Sequence, residues 1–279
     1  MVSSEQRRRQ LAREKYERQM ERRVAAQSAR RRRNTILGTS LAVVVLAGGG
    51  TLIATGAFSS DEKADKKTNS AQAAPTSTEE PTTPTRKPVE GCAAPAPGAP
   101  NGKQWQAEPP MTIDASGSYA MTLDSNCGKV TIALDAAKAP HTVNSFAFLA
   151  GEKYFDHTKC HRLTTDGIFV LQCGDPTASA TVPGGTGGPG YKFADENLAG
   201  ATYPAGTVAM ANSGPGTNGS QFFLVYKDTK LPPNYTPFGK ITEGLDAVQK
   251  IAAAGTLEGS PDGHPMADVT FNTVTVAKG

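Results

Sequence analysis

The most unusual chemical group in the sequence is an arginine that stands beside an apolar run. In the stretch CHRLTTDGIFVLQCGD (residues 160–175), Arg162 precedes the apolar run FVL and Gln172 follows it. A guanidinium is a permanently charged hydrogen-bond donor, so it can stabilise a lone pair that develops during a reaction. Two plainer interpretations are a surface arginine whose stem lies over a strand and an ion pair with Asp175.

The groups that usually carry covalent or metal chemistry are missing. Ser220 in NGSQF lacks the glycine spacing of a serine hydrolase. The run GGTGGPG (184–190) formally contains GxGxxG, but Pro189 interrupts it and no βαβ pattern surrounds it. The histidines show no metal-ligand spacing with carboxylates: His141, His157, His161 and His264. We therefore expect no metal, no cofactor and a reaction that needs no covalent nucleophile.

Short alternating or β-branched runs predict the strands that must position these groups. The runs are SYAMTLD (118–124), GKVTIALD (128–135), IFVLQ (168–172), GTVAMA (206–211), QFFLVY (221–226) and DVTFNTVTV (268–276). Turn residues separate them, which is typical of an all-β domain. Periodicity alone leaves a closed barrel and an open sandwich almost equally good.

Two segments predict helices. The first begins near Pro140, places Val143, Phe146 and Leu149 on one face and ends at a glycine, as helix punctuation requires. The second is GLDAVQKIAAAG (244–255), which has a similar apolar face. We expect these two short helices to cap the ends of a closed barrel.

The chain before the first strand divides into three segments by composition. Residues 1–34 form a basic tail, and its first 33 residues carry eleven Arg and one Lys against four Glu. Residues 35–58 carry no charge and would reach roughly 36 Å as a helix, which is enough to cross a hydrocarbon core of about 30 Å. Residues 59–108 have the composition of a disordered linker. We expect a cytoplasmic tail, a transmembrane signal anchor and a folded domain at 109–279 outside the membrane.

Other interpretations of the N-terminal part remain open. A cleaved signal peptide is the main alternative for residues 35–58, although 34 residues is long for the region that precedes one. A buried core helix is a weaker alternative. The basic run resembles a nucleic-acid-binding tail, but its interleaved glutamates and its position beside the span favour a role in topology, so we expect no nucleic-acid partner.

A compartment outside the membrane permits disulfides, and the four cysteines allow three connectivities.

Four segments follow one another in the order found in one enzyme family. They are CHRLTTDGIFVLQCGD, GTGG…YKFADEN (185–197), GTVAMANSGPGTNGSQFF (206–223) and PFGKI (237–241). In these segments the chain resembles the cyclophilins, which are peptidyl-prolyl cis-trans isomerases. The resemblance covers about 115–279. It implies a closed eight-stranded antiparallel barrel capped by two helices, with an active-site groove on the outside of the barrel.

The resemblance also implies roles for individual residues. Arg162 looks like the family's catalytic arginine, Phe169 looks like the floor of its proline pocket, and Gln172 matches a third catalytic position. Substrate-binding positions are implied for the residues that match the rest of the groove: Val170, Met210, Ala211, Asn212, Gln221, Phe223, Leu231 and Tyr235. Family geometry would also bring Cys160 close to Cys173, which implies a disulfide between them.

The chain departs from the family pattern in four places. Two extra residues lie between Arg162 and Phe169. Val170 replaces the usual methionine, which leaves a looser pocket. Lys230 stands where many members carry tryptophan, so we expect weak cyclosporin binding. Tyr235 occupies a position that is often histidine.

These observations predict an isomerase in which Arg162 donates a hydrogen bond to the prolyl nitrogen while an apolar pocket holds the proline ring. The alternative is a proline-peptide-binding chaperone module in which isomerisation is incidental, and a passive envelope spacer is a third reading. We expect a monomer that resembles membrane-anchored actinobacterial cyclophilins and acts on proline-containing exported or envelope polypeptides.

Overall fold

The computed structural model describes residues 85–179 and 182–279. The predicted basic tail (1–34), the predicted span (35–58) and the first half of the predicted linker (59–84) lie outside the described residues. Within the described ranges, no helix has both the length and the apolar character needed to cross a membrane.

The described chain folds into one antiparallel sheet with two helices. Its strands are β1 (Tyr119–Ser125), β2 (Gly128–Leu134), β3 (Arg162–Thr164), β4 (Val170–Cys173), β5 (Thr207–Met210), β6 (Phe222–Val225), β7 (Pro237–Glu243), β8 (Asp262–Gly263) and β9 (Phe271–Lys278). Each of the six predicted runs contains or overlaps one of these strands, so the prediction of an all-β domain is confirmed.

The closed eight-stranded barrel is corrected in two respects. The strand order is β8-β3-β4-β6-β5-β7-β2-β1-β9, so the described part of the chain has nine strands, and the edge strands β8 and β9 do not pair with each other. Because β8 is only two residues long, its pairing with β3 is limited to two residue pairs. The chain just before β3 instead makes hydrogen bonds to the chain at the start of β9. The Cys160 N–H donates to the Val269 carbonyl at 3.0 Å, and the Phe271 N–H donates to the Thr158 carbonyl at 3.0 Å.

The two helices lie where the sequence predicts them. Helix α1 (Pro140–Gly151) buries Val143, Phe146 and Leu149 completely. Helix α2 (Leu245–Ala253) buries Val248 and Ile251. The Phe146 ring lies 4.6 Å from the Phe238 ring and 5.4 Å from the Phe222 ring, which ties α1 to β7 and β6 in the main core.

Three strands escaped the sequence analysis because their residues do not look like strand residues. β3 is three residues long, and β8 is an Asp-Gly pair. β7 opens with Pro237, which is acceptable at the first residue of a strand, and contains Gly239. A Cβ atom at Gly239 would lie 2.7 Å from the Ile132 side chain, so β7 approaches β2 more closely than any larger residue allows.

Residues 85–108, which the composition assigned to the linker, lie packed on the domain. Val89, Cys92 and Trp105 are partly buried against the main core, and Cys92 forms a disulfide with Cys127. The predicted boundary at residue 108 is therefore wrong for this segment, which we call the arm. The arm has too few apolar residues to form a core of its own, but it gains burial by lying on a core that already exists.

The second disulfide joins Cys160 and Cys173, as the family resemblance implies. The two cysteines flank the β3–β4 hairpin. All four cysteines are therefore bonded.

Candidate active site

A cavity of about 260 Å³ lies on the face of the sheet that points away from the main core. Its strand residues come from β3, β4 and β6. A second and smaller apolar cluster contains Val170, Ala209, Phe223 and Val225. The cavity lining combines one cation, two amides and an apolar wall: Arg162, Ile168, Val170, Gln172, Ala211, Asn212, Phe223, Leu231 and Tyr235. Eight of the eleven site residues predicted from the sequence thus meet in this cavity.

Arg162 is fixed in place from two sides. Its Nε donates to Asp262 Oδ1 at 2.7 Å and its Nη2 donates to Asp262 Oδ2 at 2.7 Å. Its Nη1 donates to Gln172 Oε1 at 3.2 Å, across the β3–β4 pair in which Arg162 stands opposite Gln172. The hydrogen bond to Asp262 raises the pKa of Arg162 above its ordinary value. The sequence analysis considered an ion pair with Asp175; the carboxylate that pairs with Arg162 is Asp262.

Gln172 is oriented by a chain of hydrogen bonds that runs away from Arg162. The Gln172 Nε2 donates to Gln221 Oε1 at 2.9 Å, and the Gln221 Nε2 donates to the Gly187 carbonyl at 2.8 Å. Because Gln172 accepts from Arg162 with one amide atom and donates to Gln221 with the other, its amide can adopt only one orientation. Gln221 therefore acts on the cavity through Gln172 and does not line the cavity itself.

Asp175 anchors the loop behind this chain. Its Oδ2 accepts from the Thr186 N–H at 3.0 Å and from the Gly187 N–H at 2.9 Å. Burial alone would raise the pKa of Asp175, but hydrogen bonds from Thr177 and Gly187 outweigh that effect and lower the pKa below its ordinary value. Asp175 is therefore a carboxylate at neutral pH, and it holds the loop that Gln221 contacts.

The apolar wall is built from aromatic contacts. The Phe223 and Tyr235 rings lie 5.6 Å apart in an edge-to-face arrangement, and Tyr203 supports Tyr235 from behind at 6.3 Å. Leu231 packs on the same cluster. A flat apolar ring fits against such a wall because burial of its carbon surface is favourable.

Asn212 offers main-chain groups at the edge of the cavity. Its side chain is used internally, since Nδ2 donates to the Asn234 carbonyl at 2.8 Å and Oδ1 accepts from the Gly214 N–H at 3.2 Å. Within the described ranges, its main-chain N–H and carbonyl have no hydrogen-bond partner. A bound peptide can therefore pair with the Asn212 backbone.

Two predicted site residues point to the opposite side of the sheet. Phe169 packs against the main core, with its ring 6.0 Å from that of Tyr226, and Met210 is fully buried in the main core. Side chains alternate along a strand, so Val170 and Gln172 share one face with Ile168, whereas Phe169 shares the other face with Leu171. The assignment of Phe169 and Met210 to the cavity lining is therefore corrected, and Ile168 takes the place given to Phe169.

Sequence reasoning missed two residues of this site. Ile168 could have been found by counting back in steps of two from Gln172. Asp262 carries no such signal, because it lies 100 residues from Arg162 and its two-residue strand has no apolar pattern.

A second cavity of about 330 Å³ adjoins the first. The two cavities share Gln172, Ala211 and Asn212, and the second one extends along the glycine-rich loop 185–190 and includes Gln104 of the arm. No group of three or more His, Cys, Asp or Glu residues within the described ranges is arranged to hold a metal ion.

Comparison with known proteins agrees with the fold. A family described as "Cyclophilin type peptidyl-prolyl cis-trans isomerase/CLD" matches residues 119–276. The chain belongs to this family, and the prediction of the enzyme class is confirmed at that level.

Individual relatives extend the comparison. A probable peptidyl-prolyl cis-trans isomerase B of Mycobacterium leprae is 48% identical over 179 residues, which are 59% of this chain and 57% of the relative. A peptidyl-prolyl cis-trans isomerase B of Streptomyces anulatus is 41% identical over 175 residues, which are 56% of this chain and 94% of the relative. A crystal structure of a cyclophilin type isomerase of Cryptosporidium parvum, obtained in the presence of the dipeptide Ala-Pro, has a TM-score of 0.50 and 25% identity and covers 57% of this chain and 99% of that chain. The matched region thus spans little more than half the length of the mycobacterial relative.

Proposed function

We propose that residues 85–279 catalyse cis-trans rotation about X–Pro peptide bonds, with the proline ring held in the cavity of about 260 Å³. The observation that carries this proposal is the position of Arg162, a fixed cation at the edge of an apolar cavity. The likeness to the Cryptosporidium parvum protein, whose structure was obtained with Ala-Pro, supports a proline-containing peptide as the ligand.

The reaction requires no covalent step. Rotation about X–Pro must break amide resonance, with a barrier of about 20 kcal/mol and an uncatalysed time of tens to hundreds of seconds. In the twisted transition state the prolyl nitrogen regains a lone pair. The Arg162 guanidinium can donate a hydrogen bond to that lone pair, which is available only when the amide is twisted, so the interaction stabilises the transition state more than the planar amide.

One hydrogen bond does not account for the whole acceleration. Completion within milliseconds needs a factor of about 10⁴ to 10⁵, which corresponds to about 5.5 to 7 kcal/mol. A charged hydrogen bond contributes about 1.5 to 3 kcal/mol. The remainder would come from orientation, because Val170, Phe223 and Leu231 hold the ring while Gln172 and the Asn212 backbone hold the preceding peptide.

The decisive experiment measures isomerisation of the peptide Ala-Ala-Pro-Phe by the full chain and by its Arg162→Ala variant. We expect kcat/KM to fall about 10- to 150-fold, which is the effect of losing one charged hydrogen bond. The matched control is Arg86→Ala, which removes the other arginine of the described ranges, and it should retain full activity. Equal activity of wild type and Arg162→Ala would exclude Arg162 from the reaction.

The alternative function, a proline-peptide-binding chaperone module, predicts a different result. In that case Arg162→Ala would retain both peptide affinity and protection of an unfolded client, and the wild-type chain would show little isomerisation. Measuring affinity beside turnover in the same two proteins separates the two functions.

We also propose that the domain acts outside the membrane on exported or envelope polypeptides, anchored as a monomer by residues 35–58 with the basic tail in the cytoplasm. The charge pattern of residues 1–58 supports this topology. The two disulfides support an oxidising compartment, since disulfides are rare where thiols are kept reduced. Protease protection of the tail in sealed spheroplasts would test the topology. Titration with cyclosporin would test the weak binding that Lys230 implies.

A further inference from the structure

The arm contributes to the wall of the second cavity. The Gln104 Nε2 donates to the Gly188 carbonyl at 2.7 Å, and the Trp105 N–H donates to the Pro189 carbonyl at 2.8 Å. Gln104 also lines the cavity of about 330 Å³ that adjoins the proline cavity. The arm and the glycine-rich loop therefore meet at the edge of the proposed substrate groove.

The contact is close and well anchored. A Cβ atom at Gly190 would lie 2.6 Å from the Trp105 carbonyl oxygen, so only glycine lets the arm approach the loop this closely. The Trp105 ring packs edge-on against Phe148 at a centroid distance of 5.1 Å. Two residues earlier, Lys103 pairs with Glu152 at 2.6 Å, at the end of α1.

The loop between the arm and the proline cavity is held by hydrogen bonds on both sides. Asp175 binds the main-chain N–H groups of Thr186 and Gly187, and Gln221 binds the Gly187 carbonyl. The next carbonyl, that of Gly188, is held by Gln104. A loop with so many glycines has many accessible conformations, so the loss of one contact changes the shape of the cavity.

The chemistry of this wall is polar. Within the described ranges, the Gln104 Oε1 accepts no hydrogen bond from the protein, although an amide oxygen can accept two. Because Gln172, Ala211 and Asn212 border both cavities, a peptide whose proline occupies the first cavity would place an upstream side chain in the second.

We propose that Gln104 is a specificity-determining residue for the substrate side chain two positions before the proline, and that it favours a side chain that donates a hydrogen bond. This inference rests on the proposed function, because it needs the proline ring in the first cavity. It assigns to the arm a role in substrate choice.

The test compares the full chain with its Gln104→Leu variant on peptides of the form Xaa-Ala-Pro-Phe, in which Xaa is Ala, Leu or Gln. We expect wild type to prefer Gln over Leu, and Gln104→Leu to lower the ratio of the two kcat/KM values about three- to tenfold. The peptide with Ala at Xaa sets the reference rate of each protein, to which the rates on the other two peptides are compared. The matched control is Gln106→Leu, which makes the same change at an exposed residue of the arm that contacts neither the loop nor the cavity.

Each outcome decides between the two proposals. An unchanged Gln-to-Leu ratio in Gln104→Leu overturns the role of Gln104 and leaves the isomerase intact. An equal loss of activity on all three peptides, or the same ratio change in Gln106→Leu, also overturns it. If wild type turns over none of the peptides, the proposed function fails and this inference fails with it.

Discussion

Arg162 and Asp262 lie 100 residues apart in the chain, yet two 2.7 Å hydrogen bonds join the guanidinium edge to both carboxylate oxygens. The pair couples β3 to β8, the shortest strand of the sheet. This geometry leaves Nη1 to contact Gln172 at the cavity. On the proposed function, Asp262 would be a positioning residue, because it directs the guanidinium that would act on the amide.

Replacing Asp262 with alanine should lower kcat more than it raises KM. The guanidinium would remain charged but would lose its fixed direction, and we expect kcat to fall about three- to tenfold. The free energy of unfolding should change by only about 0 to 1 kcal/mol, because both side chains are more than one third exposed. Steady-state kinetics and urea unfolding of the same protein measure the two effects.

The control for Asp262 is Asp268→Ala. Asp268 also binds one cation with both oxygens, at 2.8 and 2.9 Å from Lys159 Nζ, but it lies away from the cavity. It should alter stability without altering kcat, and Asp262→Glu should restore part of the lost kcat. Equal kcat in wild type and Asp262→Ala would contradict the positioning role.

Ile168, and not Phe169, should have the pocket role that the family resemblance implies for Phe169. Ile168→Ala removes carbon surface from the cavity lining, so we expect KM to rise about threefold to tenfold with little loss of stability. Phe169→Leu removes surface from the main core, so we expect a loss of about 1 kcal/mol of unfolding free energy and kcat/KM within about twofold of wild type. A large loss of kcat/KM in Phe169→Leu would show that Phe169 forms the floor of the proline pocket after all.

How far the sequence predicts this site depends on the distance between its parts. Phe223 and Gln221 stand two apart on a strongly aromatic run, and side chains two apart along a strand share a face. The loop before β4 contains two extra residues, and there the motif alone misplaced Phe169, because matching residue types does not determine which face a side chain occupies. Asp262 could not be predicted, since nothing local to an Asp-Gly pair indicates its distant partner.

Removing the Cys92–Cys127 disulfide should destabilise the domain more than it slows catalysis. The bond closes 35 residues, and the entropy of the unfolded chain gives about 4 kcal/mol for such a loop, compared with about 3 kcal/mol for the 13-residue separation of Cys160 and Cys173. We expect Cys92→Ser/Cys127→Ser to lose about 2 to 4 kcal/mol in urea unfolding and to keep kcat/KM on Ala-Ala-Pro-Phe within about twofold.

The companion variant Cys160→Ser/Cys173→Ser should behave differently. These cysteines flank the hairpin that carries Arg162 and Gln172, so their loss should reduce kcat as well as stability. If both double variants lost activity equally, the idea that only the Cys160–Cys173 disulfide supports activity would be wrong.

We expect the free energy of unfolding to decline as the pH falls, because the buried His161 resists protonation in the folded state. Burial lowers the pKa of His161 below its ordinary value of 6.5; Asp175 opposes this shift, while Arg162 and His264 add to it. The unfolded chain therefore binds a proton first, and stability is lost as the pH falls from 6.5 toward the lower pKa of the folded state. Urea unfolding between pH 7.5 and 5 should show this loss, and His161→Gln should reduce it.

The exposed His141 is the control of opposite sign. Its hydrogen bond with Glu108 raises its pKa, so its contribution to stability is present at low pH and is lost as the pH rises. His141→Gln should leave the decline toward low pH in place or make it steeper. Identical pH profiles for wild type and His161→Gln would show that another group controls the acid response.

The order in which the arm is attached has a mechanical consequence. Moving along the chain from residue 85, the arm is first held by non-covalent contacts such as that of Arg86 with the Pro265 carbonyl. The first covalent attachment is the Cys92–Cys127 bond in the turn between β1 and β2, and Gln104 and Trp105 come only after it. A pulling force from the N-terminal side would therefore be transmitted through a covalent bond into the β1–β2 hairpin. The segment beside the groove would carry no load, so tension on a tether need not disturb substrate choice.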